Sequence, residues 1–113
     1  MKQPDRIQLL QGTLDMLILQ TLIFGPRHGH GIATTIQRTS EEVLLVDHGS
    51  LYPALQRLLK EGLVDAKWGV STTNRRVRIY RITPAGTKHL AREMSAFERM
   101  FEGINLVLSP RNA

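Results

Sequence analysis

The sequence contains no cysteine, which excludes a disulfide framework, thiol redox chemistry and Cys-ligated zinc, and fits a reducing compartment. It also lacks a long hydrophobic run. The longest apolar stretch, Leu14 to Phe24, covers 11 positions and is interrupted by Asp15 and Gln20, whereas a membrane span needs about 20 apolar residues. The opening residues, Met1 to Ile7, carry neither an apolar signal region nor a small-residue cleavage site, which predicts a protein kept in the cytoplasm. No internal repeat and no Pro/Gly/Ser linker divides the 113 residues, a length that suits one domain with a core of its own.

Catalytic signatures are missing too. There is no Gly-x-Ser-x-Gly, no phosphate loop and no pair of carboxylates spaced for acid–base work. His28 and His30 are spaced i, i+2, which on a helix points two rings in different directions, and no Cys or neighbouring carboxylate completes a metal site. Neither a catalytic residue nor a metal or cofactor is expected.

Charge is present, and it is concentrated. The chain carries 15 Lys+Arg against 10 Asp+Glu, a formal net charge of +5. Met1 to Ser50 hold four basic and five acidic residues, while Arg57 to Arg81 hold seven basic residues against Glu61 and Asp65. One window thus carries a charge equal to that of the whole chain. Such a stripe suits a phosphate-backbone binder, although a charge run is more often only a solvated face.

Apolar periodicity locates the elements. A first helix is expected from about Thr13, read as its N-cap, to Phe24, with Leu14, Leu17, Ile18, Thr21 and Leu22 on one face and Met16, Leu19 and Ile23 on a second. A helix apolar on two faces needs partners on two sides, one of which can be another subunit. A second helix reads from Gly29 to Arg38, and Glu42 to Val46 fits a short strand or a buried connector equally well. A third runs from Leu51 to Lys60, capped by Asp47 or Ser50, with Pro53 placed in its first turn and Gly62 as its stop. Alternation then predicts strands over Leu63 to Trp68 and Arg76 to Ile82, joined by the polar loop Gly69 to Arg75, with Trp68 as a hairpin anchor. Thr83-Pro84 opens a last helix whose large apolar residues, Leu90, Met94, Phe97, Phe101, Ile104 and Leu108, form a heptad seam.

Three helices followed by a basic hairpin make a winged helix-turn-helix. The expected fold is therefore mainly α with a small antiparallel β-hairpin: a winged helix-turn-helix over residues 1–84, and a long dimerisation helix over 85–113 integral to the same domain. In that fold the third helix enters the major groove of double-stranded DNA. Ser50 and the free N–H groups around it suit a phosphate; Tyr52 and Pro53 flank them, with the proline stiffening the turn; Gln56 and Arg57 are the candidates for reading bases, with Lys60 beyond them. Thr73, Asn74, Arg75 and Arg76 at the hairpin tip suit the backbone or minor groove, ahead of Arg78 and Arg81, which alternation sends to solvent. Leu14 and Leu17 of the first helix join the heptad seam as the expected homodimer interface. A small-molecule effector held between the first and last helices would be lined by Met16, Met94, Phe97 and Phe101, residues that plain core packing explains as well. The alternative is a winged helix that binds protein and never touches DNA.

Several blocks carry a family resemblance: Gly25-Pro-Arg-His-Gly-His-Gly-Ile32, Gly49-Ser-Leu-Tyr-Pro-Ala-Leu-Gln-Arg-Leu58, Glu61-Gly-Leu63, Trp68-Gly69, Asn74-Arg-Arg76 and Tyr80-Arg-Ile-Thr-Pro-Ala-Gly86. In order and spacing, over most of residues 9–90, they resemble the PadR-like family of bacterial transcription regulators. The resemblance implies a homodimeric repressor on a pseudo-palindromic operator, often released by a small effector. It places the recognition turn on Ser50, Tyr52 and Pro53 and the wing on Asn74, Arg75 and Arg76. The family commonly has Tyr-Gly or Tyr-Glu where this chain has His30-Gly31, and the single C-terminal helix resembles that of short-tailed members.

Overall fold

The computed structural model describes residues 7–109. The chain runs β1 (Ile7–Gln8), α1 (Gln11–Ile23), β2 (Arg27–His28), α2 (Gly29–Thr39), β3 (Leu44–Leu45), α3 (His48–Lys60), β4 (Val64–Val70), β5 (Arg76–Ile82) and α4 (Pro84–Leu108).

Helix α1 is the centre of the core. Its Ile18, Leu19 and Leu22 are sealed against Ile32 of α2, Leu51, Leu55 and Leu58 of α3, Val64 of β4 and Leu90 of α4. Burying each such side chain contributes about 1.5–3 kcal/mol. That packing explains why α1 needs no side-chain cap: it starts at Gln11 after an extended Leu10 that supplies only its carbonyl. The expected N-cap, Thr13, lies inside the helix. A helix buried on two faces is stabilised by its neighbours and does not depend on a capping hydroxyl.

The other helices use side-chain caps. His28 Nδ1 accepts from Gly31 N–H (3.1 Å) at the start of α2, and Thr83 Oγ1 accepts from Gly86 N–H (3.0 Å) at the start of α4. For α3 the cap is Asp47, whose Oδ1 accepts from Ser50 N–H (2.8 Å). The helix therefore begins at His48, earlier than the expected Leu51. Pro53 is then its sixth residue and not in the first turn, and it deprives the Gly49 carbonyl of the usual i+4 donor. Helix α3 ends as expected at Gly62 (φ +74°), with Leu63 N–H bonded back to Leu58 C=O and Gly62 N–H to Leu59 C=O.

Strands β4 and β5 form the hairpin, in register from Val64↔Ile82 to Val70↔Arg76. Both strands reach the tip, so the loop shrinks to Ser71–Arg75. Ser71 N–H bonds Arg75 C=O (2.8 Å), Asn74 N–H bonds Ser71 C=O (3.0 Å), and Asn74 takes the left-handed φ of +62° that closes such a turn. Strand β2, which no apolar period marks, adds to the outer side of β5 through Arg27↔Tyr80 and His28↔Ile79. The ambiguous Glu42–Val46 segment contains β3, paired in parallel with β1.

Among the described residues of α4, only Gly86 and Leu90, in its first two turns, are buried. From Met94 onward its apolar side chains face solvent: Met94, Phe97, Phe101, Ile104 and Leu108 are each at least 38% exposed. Leu14 (2% exposed) and Leu90 (4%), expected in the dimer seam, belong instead to the protomer's own core and leave no surface to share. Leu17 is only partly covered. Among the described residues no helix is long and apolar enough to cross a membrane.

Candidate nucleic-acid interface

The N-terminus of α2, the outer stripe of α3 and one face of the hairpin enclose an open cleft of about 630 Å³. Residues at i and i+4 share a helix face, which brings Tyr52 and Gln56 of α3 to one wall. Alternation along β4 and β5 brings Trp68, Arg76, Arg78 and Tyr80 to another. Ser71, Thr72, Thr73 and Arg75 form the rim at the hairpin tip.

Tyr52 is set by a close approach. A Cβ on Gly29 would lie 2.8 Å from Tyr52 Cε1, so the ring rests directly on the backbone at the start of α2. Tyr80 is buried at the floor, and that burial pushes its phenol up from the ordinary tyrosine range against the opposing effect of Arg78. Trp68 is 58% exposed, and the Arg76 guanidinium lies 4.4 Å from its ring centroid. The tryptophan thus anchors the hairpin by holding Arg76, and indirectly Arg78 at 5.9 Å, in a cation–π stack. Arg81 is turned away and pairs with Asp65 across the strands (3.2 Å).

Arg78 corrects a sequence expectation. It shares the face of Tyr80, is partly buried in the cleft, and its Nε has no hydrogen-bond partner among the described residues. Only the strand register, which puts positions 76, 78 and 80 on the α3 side, shows this, because a run of alternating Arg reads the same with either face outward.

Two α3 residues also differ from expectation. Arg57 is not free to read bases: its Nη2 donates to Asp15 Oδ1 at 2.9 Å, tying α3 to α1 on the side away from the cleft. Ser50 is engaged by the cap, with its N–H on Asp47 Oδ1 and its hydroxyl on Oδ2 (3.3 Å). Pro53 is exposed beside Tyr52, and Lys60 is an exposed cation one turn beyond Gln56 on the same stripe. At the tip, Thr73 hydrogen-bonds Ser71 Oγ (3.0 Å), Arg75 lines the cleft, and Asn74 stands at the exposed apex outside it.

The space between Met16, Leu17, Met94 and Phe97 is about 130 Å³, smaller than the several hundred Å³ of a typical small-molecule pocket. Met16 is largely core. Among the described residues no group of three or more His, Cys, Asp or Glu side chains is arranged to hold a metal ion.

Residues 18–92 match the model of the transcriptional regulator PadR-like family. An uncharacterised protein of Lysinibacillus sphaericus is 26% identical over 103 residues, which covers 91% of this chain and 94% of that one. The solved structure of a transcriptional regulator from Clostridium thermocellum is similar at 33% identity and a TM-score of 0.77, covering 84% of this chain and 92% of the other. A PadR-like transcription factor from Bacteroides fragilis is similar at 26% identity and a TM-score of 0.69, covering 86% and 91%.

Proposed function

The chain belongs to the PadR-like family of transcriptional regulators, and on that footing we propose that it represses transcription by binding a pseudo-palindromic operator in double-stranded DNA as a homodimer. The observation that carries this reading is the cleft itself: an exposed polar stripe on α3 set beside a wing whose arginines are held by Trp68. In the complex, the outer stripe of α3 lies in the major groove. Gln56 reads a base edge, Tyr52 and Pro53 fix the entry of the helix, and Lys60 reaches a flanking phosphate. Thr73, Asn74, Arg75 and Arg76 follow the backbone or minor groove, with Arg78 behind them.

Dimerisation is supported by the uncovered seam on α4. Met94 to Leu108 span about 21 Å at 1.5 Å per residue, and Phe97 and Phe101 stack on each other with centroids 6.2 Å apart. Covering five such side chains contributes several kcal/mol, and Leu17 and the exposed Phe24 extend the apolar surface on α1. Of the expected parts, 1–84 for DNA binding and 85–113 for dimerisation, the second is carried by α4 (Pro84–Leu108), and residues 1–6 and 110–113 lie outside the described residues. A two-fold dimer sets its recognition helices about one DNA turn apart, which is why the operator is pseudo-palindromic. The work is done in the cytoplasm, at the nucleoid, without catalysis, metal or cofactor; an effector would bind in a space completed by the second subunit.

The test is duplex affinity against salt. If each subunit neutralises about three to five phosphates, affinity falls roughly a thousandfold or more between about 50 and 200 mM salt. Affinity indifferent to salt and to sequence would return the molecule to the protein-binding class of winged helices.

A further inference from the structure

Three of the four histidines in the chain meet at one place. His28 precedes α2, His30 lies in its first turn, and His48 opens α3. The rings of His28 and His30 are parallel within 1°, centroids 6.3 Å apart. His30 meets His48 edge-on at 5.8 Å, and His48 meets Tyr52 at 5.7 Å. The i, i+2 spacing predicts divergent rings, yet they align because His28 stands outside the helix as its extended cap (φ −80°, ψ 166°). A continuous line of rings therefore crosses from α2 to α3, with His28, His30 and Tyr52 on the wall of the cleft and His48 beside it.

His30 and His48 are both exposed, so core packing does not account for them. Their charged surroundings are mainly basic. Arg76 and Arg78 face the same cleft from the wing; Arg27 on β2 is turned to Thr35 Oγ1 (3.0 Å). The acidic neighbour, Asp47, has both carboxylate oxygens turned to Ser50, and Tyr52 closes the row. His28 Nδ1 is occupied as acceptor of the Gly31 N–H, so a second proton on that ring costs the α2 cap. His30 Nε2 lies 3.5 Å from Thr34 Oγ1, a hydroxyl that can accept from it as well as donate to it, and neither His30 nor His48 caps a helix. Protonated together, at 5.8 Å, they repel each other and the wing arginines unless an anion sits between them.

We propose that His30 and His48 form a proton-linked phosphate contact: a backbone phosphate of the bound duplex seats where the N-termini of α2 and α3 converge, and its arrival draws a proton onto these imidazoles. The proposal rests on the reading of the cleft as a DNA interface. It makes affinity rise as pH falls through the histidine range.

The test uses the full chain and a fixed duplex of about 30 base pairs, long enough for two half-sites, at constant ionic strength. The parent is expected to bind about tenfold or more tightly at about pH 6 than at about pH 8. The double variant His30→Gln, His48→Gln should lose most of that gain, so that its own affinity changes by less than about twofold between the two pH values. His89→Gln, which alters the remaining histidine on α4 beside Glu93, should keep the gain. Imidazole NMR provides a second readout: duplex binding should shift the titration of His30 and His48 to higher pH. A parent affinity equal at both pH values, or a gain that survives in the double variant, overturns the proposal. Failure of the parent to bind the duplex at any pH in low salt overturns the DNA reading itself, and the two failures are thereby distinguished.

Discussion

Arg57 on α3 donates to Asp15 on α1 at 2.9 Å, with the arginine side chain one-third exposed and the aspartate less so. A residue that composition marks as part of the basic stripe is thus a strut between two helices. Arg57→Ala leaves Asp15 without its partner in a half-buried site, and should lower unfolding stability by about 1–2 kcal/mol, discounted for solvent access. Base preference should be unchanged. Denaturant unfolding and selection of bound sequences check the two halves of this prediction.

The same carboxylate predicts a pH dependence. Burial holds the Asp15 carboxyl above its ordinary range, and the Arg57 hydrogen bond pulls the other way without overcoming it. The folded state therefore keeps this proton to a higher pH than the unfolded chain. Stability contributed here is present below the unfolded ionisation and falls as pH rises through the window between the two. Asp15→Asn removes that slope, so the difference between parent and variant should change across the acid range and level off above it. A parent that gains on the variant through that window would mean that Arg57 outweighs burial.

On the wing, Arg75→Ala combined with Arg76→Ala should weaken binding to all duplexes alike and reduce the salt slope by about two charges per subunit. Gln56→Ala should instead relax preference at one position of each half-site, by about 1–3 kcal/mol. Titrations against a matched panel of duplexes separate these outcomes, and unaltered affinity in the double arginine variant removes the wing from the interface.

Two glycines should respond differently to the same methyl group. At Gly86 a Cβ runs into the Leu63 carbonyl oxygen and lies 2.8 Å from Ile82 Cγ1, so backbone must move where α4 docks. Gly86→Ala should cost about 2–4 kcal/mol. At Gly29 the obstacle is the Tyr52 ring, which can swing aside. Gly29→Ala should leave the melting temperature nearly unchanged while weakening duplex binding, because the ring no longer rests against α2.

The seam on α4 is tested by Phe97→Asp or Phe101→Asp. A carboxylate in a dry helix–helix interface costs several kcal/mol, so sedimentation should report monomers with the winged helix still folded, since neither ring belongs to the protomer's core. Dimers that persist in both variants would move the interface elsewhere.

Much of this was legible in the chain. Periodicity located the four long helices and both hairpin strands, and local chemistry marked the Gly62 stop and the Thr83-Pro84 start, because each depends on residues within a few positions. The short strand Arg27–His28 was not legible: two residues carry no period, and their pairing with Ile79 and Tyr80 depends on a segment some 50 positions away. The start of α3 moved for a related reason, since Asp47 and Ser50 are both good caps and only the fold selects between them.

By itself, the amino-acid sequence determined the order of the four helices and the hairpin, the concentration of charge in residues 57–81, and the absence of thiol chemistry and of a long apolar span. Tertiary structure decided how that charge is used. Packing turned Arg57 inward to Asp15, the strand register turned Arg78 into the cleft and Arg81 out to Asp65, and the convergence of two helix starts drew His28, His30 and His48 into one line. Side-chain type is a local property, but which partner a side chain meets depends on backbone directions fixed by contacts far away in sequence.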